Sequence, residues 1–567
     1  MKIKQVTLQN DQSVTFGRFT VLVGPNNVGK SRTLRDIQFY ISNPRVVRPI
    51  IKELTLDMPS SLNELLTSVG VELIPDPNKL GHFLVFGIGP YAGGGSPNMS
   101  INVDQQRAAY QPEQSANLQD ILSRYGYFMM SYLDASGRLS AATTTASFNP
   151  NASAPANFLQ ALYKEKETEA ELRDIFRKTF GLDIRLDYSG MQSLSLKIAD
   201  GQFAEIPLDP RDAFKILREY PSLDDQGDGF KSFAGVILSV LLSKGRIILL
   251  DEPEAFLHPA QARQLGHWLG KHVMNLQGQL IVATHNASFL SGIVSSGTQV
   301  DLYRLNRTGN STTFARIAPE AVSKLGTSPL LSSQRVLESI FYKGVVVCEA
   351  DSDRAIYDTV AGSQLQSQDA LFVHAHNKES IRFVAELLRN ASIPTAAITD
   401  IDILNSCDNL KNLLMALTPD TSLDFILQSQ KLIAETVNEQ SEGEILHSLQ
   451  GRVAEFLAQL EKGEHSLAGA RGALNRIERG ITRWDLIKSD GINAFPEKSH
   501  EIVRNVIEAC AKLGLFIVPV GELEGWMDLG LSHKSKWVVA ALERLKANNC
   551  PENLKIFIGD VLSFLKV

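Results

Sequence analysis

Apolar positions along this 567-residue chain change period several times, and each change marks an element. Met1–Thr7 alternates polar and apolar residues as a half-buried strand does, and Phe19-Thr-Val-Leu-Val23 is a short continuous apolar run of the kind buried on both faces of a parallel sheet. That run enters Gly24-Pro-Asn-Asn-Val-Gly29-Lys30-Ser31, after which the spacing predicts a helix through Ile41. From about 75 to 155 Gly, Pro, Ser, Asn and Thr predominate, which predicts loops and short strands. Helical spacing returns over 155–180, Leu182 to Ile206 alternates as antiparallel strands, and a helix follows Asp228-Gly-Phe-Lys-Ser232 as far as Leu242. The runs Ile247–Leu250 and Leu280–Thr284 read as buried strands. Together these predict an α/β domain over 1–335, with about 155–220 inserted as a candidate dimerisation element.

A second alternation of strand and helix begins at Gly344-Val-Val-Val-Cys348. Helices are expected over 354–363 and 379–390, strands over 394–399 and 515–520, and a helical insertion over about 408–512. The expectation is a Rossmann-like domain over 340–567, so the whole chain is α/β.

Composition adds limits. The chain is too long for one core, and 44% hydrophobic with 21% charged residues is ordinary for a globular protein. The absence of an 18-residue apolar run argues against a membrane span, and the N-terminal segment lacks a signal-peptide core, so a cytoplasmic location is expected. Cys348, Cys407, Cys510 and Cys550 have neither zinc-site nor disulfide-framework spacing. A net charge of −7 leaves nucleic-acid contact to a local basic patch.

Gly24-x-x-x-x-Gly29-Lys30-Ser31, between strand and helix, is a phosphate-binding loop: its backbone N–H groups, with those of Asn26 and Asn27, wrap phosphate oxygens. Lys30 would neutralise the β- and γ-phosphates of ATP and Ser31 would reach Mg²⁺. After Ile247–Leu250, Asp251 is placed for the metal and Glu252 for orienting and deprotonating the attacking water; His285, after the next strand, is placed to sense the γ-phosphate.

Leu250-Asp-Glu-Pro-Glu-Ala-Phe-Leu-His-Pro259, Ala283-Thr-His-Asn286 and the phosphate loop resemble the ABC-type ATPase heads of the SMC, RecF and OLD (overcoming lysogenisation defect) proteins. The resemblance implies two heads enclosing two ATPs. The segment in the position of the signature loop, Gly227-Asp-Gly-Phe-Lys-Ser232, lacks the Ser that begins the usual Ser-Gly-Gly.

Farther along, Glu349 ends one strand, Asp353 opens the next helix, and Asp400 and Asp402 end another strand. In a parallel sheet these carboxyl ends share an edge, and four crowded carboxylates call for a hard cation, Mg²⁺ or Mn²⁺. The spacing resembles a Toprim domain, with Ala350 where that family has Gly. Similarity to the OLD nucleases extends to Val518-Pro-Val-Gly521-Glu522-Leu-Glu524 and the lysines after it. It implies that Glu524, with Glu522, holds a second ion (Mg²⁺, Mn²⁺ or Ca²⁺), and that Lys536, with Lys534 as the competing choice, stabilises the transition state.

Arg471, Arg476, Arg479, Arg483 and Lys488, with Trp484 among them, form the densest basic stretch, either a DNA-gripping or a solvated helix face; Arg45, Arg48 and Lys52 form a sparser one. The resemblance as a whole implies an OLD-type enzyme: an ABC-type P-loop ATPase joined to a Toprim endonuclease acting on DNA. It further implies a homodimer or higher oligomer formed through the ATPase heads. Relatives of this kind include Gabija and retron-associated nucleases, so a separate helicase or reverse transcriptase is a candidate partner, in anti-phage defence. The alternative is a nucleotide-controlled DNA clamp or sensor with a weak Toprim domain. A topoisomerase or primase is disfavoured by the lack of a tyrosine-nucleophile domain and a zinc module.

Overall fold

The computed structural model describes residues 1–567 apart from 44–45, 90–98, 148, 150–153, 323–333, 376–377, 420, 439–441, 463–468, 472, 475–476, 478–482 and 532–533. The chain divides into two compact units, Met1–Phe341 and Tyr342–Val567.

The first unit is organised by a six-stranded sheet in the order Ser311–Arg316, Asp301–Thr308, Phe19–Val23, Gln279–Ala283, Ile247–Asp251, Met130–Leu133. All pairings are parallel except the edge strand Ser311–Arg316. Every residue of Phe19–Val23, Ile247–Asp251 and Gln279–Ala283 is buried, which explains why these strands read as unbroken apolar runs. The helix Lys30–Ser42 leaves the phosphate loop, and the helix Asp228–Leu242, buried from Ser232 to Val240, precedes the acidic strand. Phe233, Val236, Ile237 and Val240 of that helix are each buried to 1% exposure or less, at roughly 1.5–3 kcal/mol apiece.

The stretch expected to be loops and short strands also holds three helices, Val103–Ala109, Ser115–Met129 and Ala135–Ala141. It further supplies the sheet strand Met130–Leu133, whose Met-Ser-Tyr-Leu sequence carries no alternation of its own and is fixed by pairing with Ile247–Leu250. Over 155–220 lie the helices Phe158–Lys164, Lys166–Phe180 and Pro210–Leu217 and the antiparallel pair Leu182–Asp187 with Ser193–Asp200. Buried Asp183 ties this segment together, accepting from Arg173 at 2.8 Å and Arg177 at 2.5 Å.

In the second unit four parallel strands run Ala370–His374, Gly344–Cys348, Thr395–Thr399, Leu515–Ile517. The edge strand Ala370–His374 was not anticipated. The insertion contains Cys407–Leu417, Asp424–Asn438, Glu442–Glu461, Arg483–Asp490 and His500–Lys512, all helical. Trp526 and Trp537 anchor the core, donating to the Tyr357 hydroxyl at 3.3 Å and the Met527 carbonyl at 3.1 Å. No helix among the described residues is long and apolar enough to cross a membrane.

Candidate functional site

The phosphate loop owes its shape to backbone that few residues adopt. Gly24 has φ 135°, and a Cβ there would lie 2.6 Å from the Leu305 carbonyl oxygen. Asn27, at φ 63°, and Gly29, which caps the helix Lys30–Ser42 at φ 103°, complete the turn, while Asn26 is exposed on it. The buried Lys30 ammonium donates to the carbonyls of Gly24 at 2.7 Å and Pro25 at 2.8 Å. Burial brings its pKa down to about 8 against the opposing pull of Glu252, Asp251 and Glu254, so a phosphate anion is what this cation lacks most.

Because Gln279–Ala283 lies between the phosphate-loop strand and the acidic strand, all three deliver their carboxyl ends to one edge. There Ser31 Oγ donates to Asp251 Oδ1 at 2.8 Å, joining the expected Mg²⁺ residues across 220 positions. Burial raises the Asp251 carboxyl despite that hydrogen bond, leaving an acid that a cation would relieve. Glu252 sits at φ 51° and meets His285 Nδ1 at 2.8 Å. Each partner shifts the other: the His285 hydrogen bond lowers Glu252, and Glu252 raises His285.

Two residues of this edge were not singled out from the sequence. Glu254 is 3% exposed, accepts from Thr284 Oγ1 at 2.6 Å, and is raised to about 7 by burial. It stands in the same acidic string as Asp251 and Glu252, so its spacing was visible. Arg138 is fully buried and joins three elements: Nε donates to Ser232 Oγ at 3.0 Å and Nη1 to the Asp251 carbonyl oxygen. It links the helix after Gly227-Asp-Gly-Phe-Lys-Ser232 to the end of the acidic strand. Nothing around Arg138 in the sequence marks it, since its partners are 94 and 113 positions away.

In the second unit, Gly344–Cys348, Thr395–Thr399 and Leu515–Ile517 are adjacent and parallel, so Glu349, then Asp400 and Asp402, then Glu522 and Glu524 follow neighbouring strand ends. The loops are stitched by Val518 N–H to the Thr399 carbonyl at 2.9 Å and Ile401 N–H to the Gly521 carbonyl at 3.0 Å. Asp353, in the first turn of Asp351–Thr359, is buried and accepts from Ala350 N–H at 3.0 Å. Ala350 itself has φ −126°, ordinary extended backbone, so the glycine expected there is not needed for conformation.

The acids share one field. Burial raises Asp353, Lys534 pulls it back, and Asp400 raises it again. Burial, Glu524 and Asp400 together push Glu522 up to about 7. Among the described residues, buried Glu524 Oε2 has no hydrogen-bond partner. Oxygen donors of this kind suit a hard divalent cation. Among the described residues, however, no three His, Cys, Asp or Glu side chains converge closely enough to form a ready-made metal-ligand group.

The two candidate lysines differ in their surroundings. Lys534, opening the helix Lys534–Lys546, stands 4.0 Å from Glu524 Oε1, whereas Lys536 is exposed without a described contact to the acids. Side chains two positions apart on a helix point to different sides, so one helix cannot present both lysines to the acids. Lys488 reaches Asp400 Oδ2 at 3.1 Å and Asp402 Oδ2 at 3.4 Å, and those carboxylates outweigh burial to hold its ammonium above the ordinary value.

Of the basic stretch, which the sequence leaves as either a DNA-gripping or a solvated face, Arg471 is exposed and three other residues are engaged within the protein. Lys488 lies on the acids, Arg483 donates to the Val437 and Asn438 carbonyls, and Trp484 packs edge-on to Phe495 at 6.0 Å; Arg476 and Arg479 fall outside the described residues. In the sparser patch Arg45 also falls outside them, Arg48 lies over the Tyr40 ring at 4.8 Å, and Lys52 pairs with Asp11 at 2.6 Å.

Comparison with known proteins finds one family model within each unit. The family model described as "AAA domain, putative AbiEii toxin, Type IV TA system" matches residues 101–291, which include Asp251, Glu252 and His285. The model described as "Overcoming lysogenization defect protein-like, TOPRIM domain" matches residues 340–402, which include Glu349, Asp353, Asp400 and Asp402. Among solved structures, the SMC head bound to the C-winged helix domain of ScpA is 14% identical over 57% of this chain and 100% of that one, with a TM-score of 0.34. The SMC head domain from Thermotoga maritima is 13% identical over 56% and 100%, with a TM-score of 0.29. No curated protein matches the chain.

The chain is thus an α/β enzyme in which an AAA-type ATPase domain is joined to an OLD-like Toprim domain, a pairing that supports ATPase and endonuclease activity. That combination fits the OLD family of ATPase–Toprim nucleases.

Proposed function

We propose that this protein is an ATP-binding and ATP-hydrolysing, metal-dependent DNA endonuclease whose cutting is supervised by its nucleotide site. It would act in the cytoplasm, in bacterial anti-phage defence. The observation that carries the proposal is the run of three adjacent parallel strands whose ends hold Glu349, Asp400, Asp402, Glu522 and Glu524, on a chain that also holds the Ser31–Asp251 contact beside a phosphate loop.

Lys30 and the loop amides would bind the nucleotide phosphates, with Ser31 and Asp251 holding Mg²⁺. Glu252, oriented by His285, would align and accept a proton from the attacking water. In the second unit Glu349, Asp353, Asp400 and Asp402, with Glu522 and Glu524, would hold Mg²⁺ or Mn²⁺. Such ions, when bound, supply an activated water and charge stabilisation for phosphodiester hydrolysis. Lys534, which stands 4.0 Å from Glu524 Oε1, would offset the charge developing on the scissile phosphate, in preference to Lys536. Assembly through the ATPase units into a dimer or larger oligomer belongs to the same proposal, and light scattering with and without ATP tests it.

The direct test is plasmid cutting by the purified protein in Mg²⁺ or Mn²⁺. Cutting by wild type that disappears in Asp400→Ala supports the assignment; equal cutting by both, or none by either, removes it.

A further inference from the structure

The helix Arg483–Asp490 belongs to the insertion, yet its Lys488 ends among the Toprim acids. Its position is built by backbone contact. Gly521 has φ 101°, and a Cβ there would overlap the Lys488 carbonyl oxygen, so the acid-bearing loop and the lysine-bearing helix meet at a glycine. Just beyond the lysine, Ile492 N–H donates to the Pro519 carbonyl at 3.0 Å. Next to Lys488 on the same helix, Asp490 is ion-paired with Arg452 of the helix Glu442–Glu461, which fixes it from the other side. A freely rotating surface lysine would need none of this.

Asp400 Oδ2 and Asp402 Oδ2 both face the Lys488 ammonium, the ammonium is half-buried, and Glu349 adds to the field around it. A monovalent cation therefore stands on two of the carboxylates assigned to divalent metal. We propose that the insertion contributes Lys488 to the nuclease site as a positioning residue: an internal counter-cation that holds Asp400 and Asp402 together and is exchanged for the divalent ion when the site charges. This rests on the nuclease reading above and adds that the insertion sets the affinity for metal.

The direction of the effect separates this role from a purely structural one. If Lys488 only braced the loop, removing it would weaken metal binding; if it competes with metal, removing it strengthens binding, because one unit of positive charge leaves the acids. Calorimetric titration of the full-length protein with Mn²⁺ should show Lys488→Met binding about tenfold more tightly than wild type, with Lys488→Arg close to wild type. Unchanged or weaker binding by Lys488→Met overturns the proposal. A second measurement needs no variant: acetylation of Lys488 in the wild-type protein, followed by mass spectrometry, should accelerate severalfold when Mn²⁺ is added. An unchanged rate overturns the proposal equally. The failure of the nuclease reading looks different. In that case wild type and Asp400→Asn bind Mn²⁺ alike; Mn²⁺ binding that is lost in Asp400→Asn but indifferent to Lys488 sinks only the present inference.

Discussion

In the first unit, Lys30, Ser31 and Asp251 are hydrogen-bonded to one another or to the loop that carries them. In the second unit six carboxylates surround one sheet edge, and the charge that offsets them comes from lysines on two helices distant in sequence. The first arrangement is made of backbone turns and close hydrogen bonds in which cationic and acidic side chains alternate. The second is a set of like charges brought to one sheet edge by strand order, a repulsion that a bound cation would relieve. The first site sets a buried lysine beside its acids, whereas the second gathers acids alone along its strand ends. The proposed function links the two, with a nucleotide at the first biasing chemistry at the second.

The contrast can be broken most severely at the acids. Glu349→Gln or Asp402→Asn should each lower plasmid cutting on the order of 10³-fold while ATP turnover stays near wild type. Parallel loss of ATP turnover would show that the two sites are not separate. Glu252→Gln should do the reverse, retaining nucleotide binding but slowing hydrolysis roughly 10²–10³-fold in a phosphate-release assay. Retained hydrolysis would move the base elsewhere, with Glu254 the nearest alternative.

The lysines sharpen the comparison further. Lys534→Ala should reduce cutting about 10²-fold, the scale of losing one charge-stabilising donor, and Lys536→Ala should change it less than about threefold. The opposite ranking would restore Lys536.

The smallest effect concerns the buried acid of the nucleotide edge. Burial puts the Glu254 pKa at about 7 in the folded protein, against a reference value of 4.5. Between those values the folded state keeps a proton that the unfolded chain has lost, so this group's stabilisation is complete below about pH 4.5 and declines as pH rises towards 7. Glu254→Gln removes the decline. Its melting temperature, relative to wild type, should be roughly 2 °C more favourable at pH 8 than at pH 5.5. A constant difference across that range would show that Glu254 is not protonated in the folded state.

The same contrast explains what could be read from the sequence. The phosphate loop and the Asp251-Glu252 strand are contiguous strings whose meaning depends only on a strand before and a helix after, and the structure supplies both. The order of acid-bearing strands was also legible, because fully buried parallel strands read as apolar runs. What escaped depends on packing between remote segments. Arg138 looks unremarkable in a Ser- and Ala-rich stretch until Ser232 and Asp251 close around it. Lys488 looked like part of a basic helix face until folding carried it 86 positions back to Asp402. The choice between Lys534 and Lys536 turns on where a helix begins and which way its first turn faces, a detail that composition does not carry.

The central claim, that a nucleotide site supervises a metal-dependent DNA-cutting site on the same chain, is tested most directly by one assay. Manganese-dependent plasmid cutting is measured across an ATP titration for wild type and Lys30→Ala. Cutting by wild type should change with ATP, while Lys30→Ala should cut at a rate that ATP does not alter. Cutting that ignores ATP in the wild type, or that responds identically in Lys30→Ala, would contradict it.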